Sequence, residues 1–322
     1  MLEFYPISRY SEVKMPFVKK SFIINEPIKA FIFIIRQFNV TQKEAQRLID
    51  KGRLLIQGDS FYDKAGVIEG KVEVILFEPH SRNLKPIFTT KDFLLYDKPS
   101  GILVHPNTIA TKYSMLDEIR THSGKHANAT HRIDMETSGL LLASRHKKSE
   151  QYLKSSFEHK RIQKEYLAWV SGRIDVPFVV DEPIKVRNNY DKSKHKVAID
   201  KNGKASKTEF TPLHYDKELD ATLLQCRPLT GRTHQIRIHL FHVKHPILGD
   251  PIYGTDFATS TEYLEGRLSS KKRLISTGAT RLMLHAYRLQ FTYGCQYDLF
   301  SRVDFVKIRS EICCKAKREF NL

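Results

Sequence analysis

The chain has 322 residues, 41% hydrophobic and 28% charged, and its 53 Lys/Arg outnumber 36 Asp/Glu for a formal net charge of +17. That apolar fraction excludes a disordered polyelectrolyte, no apolar run nears the ~18 residues that span a bilayer, and no secretory leader is visible. A cytoplasmic protein with a real core is expected, as one large domain plus a small one or as two comparable domains. Cys226, Cys295, Cys313 and Cys314 lack Cys-x-x-Cys spacing and read as reduced thiols. The cation excess suits a polyanionic partner, because each cation beside a phosphate releases counterions; the alternative is a solvated basic surface. Residues 1–80 carry 12 Lys/Arg against 10 Asp/Glu, so nearly all of the excess lies beyond them.

In chain order, Asn25-Glu26-Pro27 reads as a helix start, with Ile28 to Phe38 as the helix, although its β-branched residues also suit a strand. Thr41 and Glu44 predict a capping box for a second helix, with Ala45, Leu48 and Ile49 on its apolar face and Gly52 at its end. Lys43, Arg47 and Lys51 share another face at i, i+4, i+8, with Arg53 just beyond. Leu54–Ile56 and Val72–Phe77 read as strands around a turn at Gly58-Asp59. His80 to Pro86 has no periodicity and reads as the start of a linker, placed at 80–90. Strands are then expected at Phe93–Tyr96 and Ile102–Val104, around a turn at Lys98–Gly101, and at Leu140–Ala143, Lys164–Val170, Lys207–Leu213 and Thr222–Cys226. Helices are expected from Ser149, as cap, to Phe157, and from Thr233 to Phe241. Strand-rich with few helices, the larger part is α+β on a mixed or antiparallel sheet.

One stretch carries more chemistry than the rest. Thr130-His131-Arg132-Ile133-Asp134-Met135-Glu136-Thr137-Ser138-Gly139-Leu140-Leu141-Leu142 sets a carboxylate in a loop before a strand, two residues after a cation. Alone, Asp134 would read as a turn residue bonding its own backbone. The stretch, however, resembles the His-Arg-Leu-Asp-x-x-Thr-Ser-Gly-Leu signature of the RluA-type pseudouridine synthases, with Ile133 as the single departure. Four further segments resemble the same family in the same order: Lys164 to Gly172, Lys204 to Phe210, Leu229 to His239 with His245 to Asp250 after it, and Leu282 to Ala286. Tyr96 to Pro106 resembles the opening of its catalytic domain. The segment Gln46 to Ile49 followed by Lys51-Gly52-Arg53 resembles the alpha-L RNA-binding module of ribosomal proteins and RNA-modifying enzymes.

The resemblance implies an N-terminal arm and module over 1–79 (core about 26–78), then a catalytic domain over 91–322 with the pseudouridine synthase fold. It implies Asp134 as the catalytic residue, Arg237 as its cationic partner and Tyr166 as an aromatic platform for uracil. Arg132 would hold a phosphate or fill the space left by an extruded nucleotide, and Leu284 would form an apolar wall. Lys43, Arg47, Lys51 and Arg53 would touch RNA. Breaking the nitrogen–sugar bond, turning the uracil and rejoining it through carbon five needs no redox step or metal, so no cofactor is expected. Asp134 serves either as nucleophile or as base. His234, His239, His242 and His245 cluster in sequence without the spacing of a metal site. The expected substrate is large-subunit ribosomal RNA. The alternatives are transfer RNA, or a non-catalytic RNA-binding or ribosome-assembly factor of the same fold. Oligomeric state is not legible. The basic tail, Lys307, Arg309, Lys315, Lys317 and Arg318, reads as a phosphate contact or as a solvated end.

Overall fold

The computed structural model describes residues 15–187 and 197–312. Cys313, Cys314 and the tail cations Lys315, Lys317 and Arg318 lie outside them, as does the side chain of Arg309. Lys307 is exposed and paired with Asp304 at 2.8 Å.

The N-terminal unit is a four-stranded antiparallel sheet of β1 (Phe17–Lys29), β2 (Leu54–Ile56), β3 (Asp59–Ser60) and β4 (Val67–Phe77), ordered β1-β4-β2-β3. Helices α1 (Ala30–Phe38) and α2 (Gln42–Asp50) share its core, in which Phe33, Ile34, Ala45 and Ile49 meet Leu54, Val72 and Val74. The capping box of α2 forms as the sequence predicts: Glu44 N–H donates to the Thr41 hydroxyl, and the Glu44 carboxylate accepts from Thr41 N–H at 2.9 Å. The start of α1 does not follow the expectation. Pro27 is not a helix N-terminus but sits within β1, where a bulge between Ile24 and Ile28 absorbs it. Bulges and edge strands are the sheet positions that tolerate a residue without an N–H.

The second sheet has ten strands among the described residues. They are β5 (Phe88–Thr89), β6 (Phe93–Lys98), β7 (Asn128–Ala129), β8 (Ser138–Ser144), β9 (Gln163–Ser171) and β10 (Phe178–Asp181), then, past a two-stranded ribbon of β11 (Ile184–Val186) and β12 (Val197–Ile199), β13 (Lys207–Asp216), β14 (Ala221–Pro228), β15 (Leu284–Tyr293) and β16 (Cys295–Phe300). Its order is β10-β13-β14-β9-β15-β8-β6-β5, with β16 also on β15 and β7 on β8. The helices α3 (Met115–Ser123), α4 (Lys147–Glu158), α5 (Gln235–His242), α6 (Phe257–Leu264) and α7 (Ser270–Thr277) complete a mixed, largely antiparallel α+β architecture. Strands β6 and β8 are covered on both faces: Phe93, Leu95, Leu140 and Leu142 enter one core, and Leu94, Tyr96, Leu141 and Ala143 another. Alternating side chains point to opposite faces, so burial of both produces the continuous apolar runs read in the sequence.

Strands β8 and β15 pair in parallel, through His285–Ser138 and Ala286–Gly139. Gly139 has φ +101°, and a Cβ there would collide with the backbone of Ala286. Only glycine allows the two strands so close.

Other expectations need correction. Residues 80–90 are not a loose linker. His80 N–H donates to Asp117, the Ser81 hydroxyl and Arg82 N–H donate to Glu118, and Phe88–Thr89 pair as β5. Ile102–Val104 is not a strand, because its carbonyls have other donors. Leu103 and Val104 accept from Met115 and Leu116 N–H at the start of α3, and Ile102 accepts from the Lys98 ammonium. Helix α4 starts earlier than expected, capped by His146, whose ring accepts from Ser149 N–H. Helix α5 starts at Gln235, because His234 takes the left-handed conformation, φ 54°.

Candidate active site

Asp134 lies in the loop that leads into β8, and neighbouring backbone fixes that loop. The Lys98 ammonium, 1% exposed, donates to the carbonyls of Pro99, Ile102 and Met135, each at 2.9 Å. Gly101 N–H donates to Met135 O, and the Ser100 hydroxyl to Glu136 O. The two sequence segments Tyr96 to Pro106 and Thr130 to Leu142 thus form one device, the first clamping the second. On the other side, buried Glu136 pairs with Arg273 of α7 at 2.7 Å and accepts from the Tyr263 hydroxyl of α6 at 2.9 Å.

The Asp134 carboxylate accepts from Arg237 Nη1 at 3.3 Å, and His234 Nε2 lies 3.8 Å from the same oxygen. Arg237, at 3% exposure on α5, is itself held by Asp250: Nε donates to Oδ2 at 2.7 Å and Nη2 to Oδ1 at 2.8 Å. Asp250 also accepts from Ile252 and Tyr253 N–H. Burial opposes the charges on both partners, but Asp250 and then Asp134 raise the pKa of Arg237, and Arg237 lowers that of Asp250. A planar fork gripped at two points leaves its third edge aimed at Asp134 before anything binds. The Tyr253 ring lies 5.0 Å under that guanidinium, and its hydroxyl bonds His234 Nδ1.

Asp134 opens onto a cleft of about 1470 Å³ that is also lined by Arg132, Tyr166, Arg237, Leu284 and Lys164. Tyr166 is on β9, paired with Ala286 of β15, which in turn pairs with Gly139 of β8. It therefore sits two strands, about 10 Å, across the sheet from the start of β8. Burial first, and the Asp134 charge second, raise the pKa of the Tyr166 hydroxyl, keeping it neutral and able to donate. Leu284 opens β15 and is buried; Arg132 is exposed at the cleft. His131 beside it accepts from Leu142 N–H at 3.0 Å and stacks on Phe157 at 4.4 Å, and burial pushes its pKa down to about 3. It is a neutral structural ring.

The structure thus brings Asp134, Arg132, Tyr166, Arg237 and Leu284 to one cleft. It places Lys43, Arg47, Lys51 and Arg53 elsewhere, on the N-terminal unit. Three residues at the site drew no role from sequence reasoning. Asp250 and His234 stood inside recognised segments, and Lys164, whose pKa burial lowers, differs from a surface lysine only by its surroundings. Three of the histidines weighed as metal ligands have other partners: His234 bonds the Tyr253 hydroxyl, His239 bonds Thr208 and Glu182 O, and His245 bonds Ser171 O. Among the described residues no three His, Cys, Asp or Glu side chains are placed to hold a metal ion.

Residues 92–242 match the family described as RNA pseudouridylate synthase. An uncharacterized RNA pseudouridine synthase of Helicobacter pylori strain J99 is 39% identical over 289 residues, covering 89% of this chain and 96% of that one. The ribosomal large subunit pseudouridine synthase D of Nitrosomonas europaea is 32% identical over 65% of this chain and 58% of its own. The mitochondrial tRNA pseudouridine(32) synthase of Saccharomyces cerevisiae is 34% identical over 55% and 38%. Among solved structures, human RNA pseudouridylate synthase domain containing 1 superposes with a TM-score of 0.57 at 24% identity, covering 76% of this chain and 92% of that one, which speaks for the fold.

Proposed function

The chain belongs to the RNA pseudouridine synthases, and from that premise we propose that Asp134 carries the isomerisation of a uridine in large-subunit ribosomal RNA. The observation that carries this reading is the chain of charge Asp250–Arg237–Asp134, which ends on the wall of a cleft large enough for a nucleotide. In the reaction the N1–C1′ bond breaks and a C5–C1′ bond forms, and the proton lost from C5 is balanced by one gained at N1. Asp134 acts at the sugar, as nucleophile at C1′ or as base on a sugar proton. Arg237, itself held by Asp250, keeps its carboxylate aimed. Tyr166 offers a ring face to the uracil and a hydroxyl to its polar edge, and Leu284 closes the apolar side. A uridine stacked in a helix cannot reach Asp134, so the nucleotide leaves its stack, and exposed Arg132 meets its phosphate or fills the gap.

Lys43, Arg47, Lys51 and Arg53 on the N-terminal unit add a second, sequence-independent hold on RNA. A separate unit of this kind favours a large structured substrate, and the Nitrosomonas relative named for the large ribosomal subunit supports ribosomal RNA. The yeast relative named for transfer RNA keeps that substrate as the second reading.

The test is to map pseudouridine in total RNA with and without the gene, and to treat the unmodified RNA with purified protein and no added cofactor. Sites in large-subunit ribosomal RNA should disappear without the gene and return with the wild-type protein. Asp134→Ala should restore none while still binding RNA. Full turnover by Asp134→Ala would remove the catalytic assignment, and sites confined to transfer RNA would remove the substrate assignment.

A further inference from the structure

Two aromatic rings at the edge of the N-terminal sheet each carry a cation, one of them from the larger unit. Phe17 at the start of β1 and Phe77 at the end of β4 are register partners whose rings meet edge to face at 5.3 Å. The Arg53 guanidinium lies 4.6 Å above Phe17, and that of Arg120, from α3 of the large unit, lies 5.3 Å from Phe77. Arg47 and Lys51, from the end of α2, complete the group. Among the described residues none of these four cations has an ion pair or side-chain hydrogen bond, and Arg120 Nε is buried without a partner.

The carboxylates whose charges act on Arg120 are already engaged. Glu150 accepts from Asn128 and Lys154, Asp117 from Ser114 and from His80 N–H, and Glu44 from Thr41 and Lys147. Burial first, then repulsion from Arg120 and Arg47, lowers the pKa of Arg53; for Lys51, burial is followed by Arg53, Arg47 and Arg120. The touching rings of Phe17 and Phe77 set Arg53 and Arg120 on one seam, with Arg47 and Lys51 at the end of α2 just before Arg53, and the like charges oppose one another. Four mutually repelling cations, one with a desolvated donor, cost stability unless an anion relieves them.

We propose that Arg47, Lys51, Arg53 and Arg120 form one phosphate-binding site, shared by the two units, that grips the backbone of the same RNA whose uridine enters the cleft. The site rests on the RNA reading above for its ligand class and on Arg120 for its composite character. Its consequence is geometric: RNA bridging the two units docks them as one surface, so position along the chain is read by distance from this grip.

The test measures binding of the full chain to a structured fragment of large-subunit ribosomal RNA, and to a uridine-containing oligonucleotide too short to span both places, across a salt series. Arg120→Ala should weaken binding of the long RNA roughly tenfold at low salt and reduce the slope of log affinity against log salt by about 1. It should leave the short oligonucleotide unaffected, raising KM for the long RNA at unchanged kcat. Lys51→Gln, at an exposed position, should reduce the slope equally and serves if Arg120→Ala melts early. An unchanged slope in the folded variants would overturn the proposal, as would an equal loss for the short oligonucleotide. Failure of the synthase reading would show differently, as absent pseudouridine with the wild-type chain while the salt slopes still read the grip.

Discussion

At the end of α2, Arg47, Lys51 and Arg53 stand without carboxylate partners among the described residues, whereas at the seam of the large sheet Asp134 is chained to Arg237, Arg237 to Asp250, and Glu136 to Arg273. The two arrangements suit two tasks. A surface that takes up a polyanion gains most when its cations are uncommitted, since each releases counterions on binding. A reacting carboxylate has to be in place before substrate arrives, and only a partner that is itself held provides that. Substitutions should therefore act differently in the two regions, costing fold and chemistry together at the seam and binding alone at the surface.

The largest effect is expected at Asp250. Asp250→Ala leaves the buried Arg237 guanidinium without its two-point grip, so about 3–5 kcal/mol of stability should be lost. Misplacing the cation beside Asp134 should also lower kcat by roughly a hundredfold or more. Calorimetry and single-turnover assays separate the two losses. A stable, active Asp250→Ala protein would mean that the chained charges are incidental and the contrast between regions is false.

Gly139→Ala comes next. The added Cβ meets the Ala286 backbone at a left-handed φ, so the parallel pairing of β8 with β15 must open. About 3 kcal/mol is expected, or a melting temperature lower by roughly 5–10 °C. Because β8 begins at the end of the Asp134 loop, activity should fall with it. Retained melting temperature with lost activity would show that the contact serves position rather than strength.

Lys98→Met tests the clamp beneath Asp134. Burial pulls the Lys98 pKa from 10.5 down to about 7, against Asp134 and Glu136, which raise it. Between those values the unfolded chain binds the proton and the folded chain does not, so the penalty for burying this lysine fades as pH rises from 7 towards 10.5. Wild-type stability relative to Lys98→Met should therefore climb across that window. A constant difference would place the proton differently. Whatever the pH, the variant loses the donor to Met135 O, and kcat should drop roughly tenfold.

What was legible in the sequence divides along the same line. Asp134, Tyr166, Arg237 and Leu284 stood in short segments that could be read locally, and the structure gathers them on one cleft. The capping box of α2 was equally local. The strand β1 was not, because both of its faces carry apolar residues, Ile23 79% exposed and Ile24 buried, and the bulge after Ile24 then breaks the two-residue alternation. The hold on segment 80–90 is not legible locally, because its partners, Asp117 and Glu118, come some 36 residues later, on α3. The role of Asp250 is not legible either. Its partner is 13 residues away across a turn, and only the folded geometry turns an acid near the end of a motif into the holder of an arginine.

The smallest effect belongs to the N-terminal unit. Glu44 is held well below its usual range, at about 2 against 4.5, first by the Thr41 N–H and hydroxyl and also by Lys147, which reaches across from α4. A carboxylate depressed on folding contributes its stability above about pH 4.5 and loses it as pH falls towards 2. Glu44→Gln should therefore cost less than about 1 kcal/mol at neutral pH, because the pair is exposed to solvent, and the two unfolding curves should converge in acid. RNA turnover at saturating substrate should not change. A gap that persisted unchanged at pH 2 would show that the residue acts through packing rather than charge, and the surface region would then resemble the seam more than its open cations suggest.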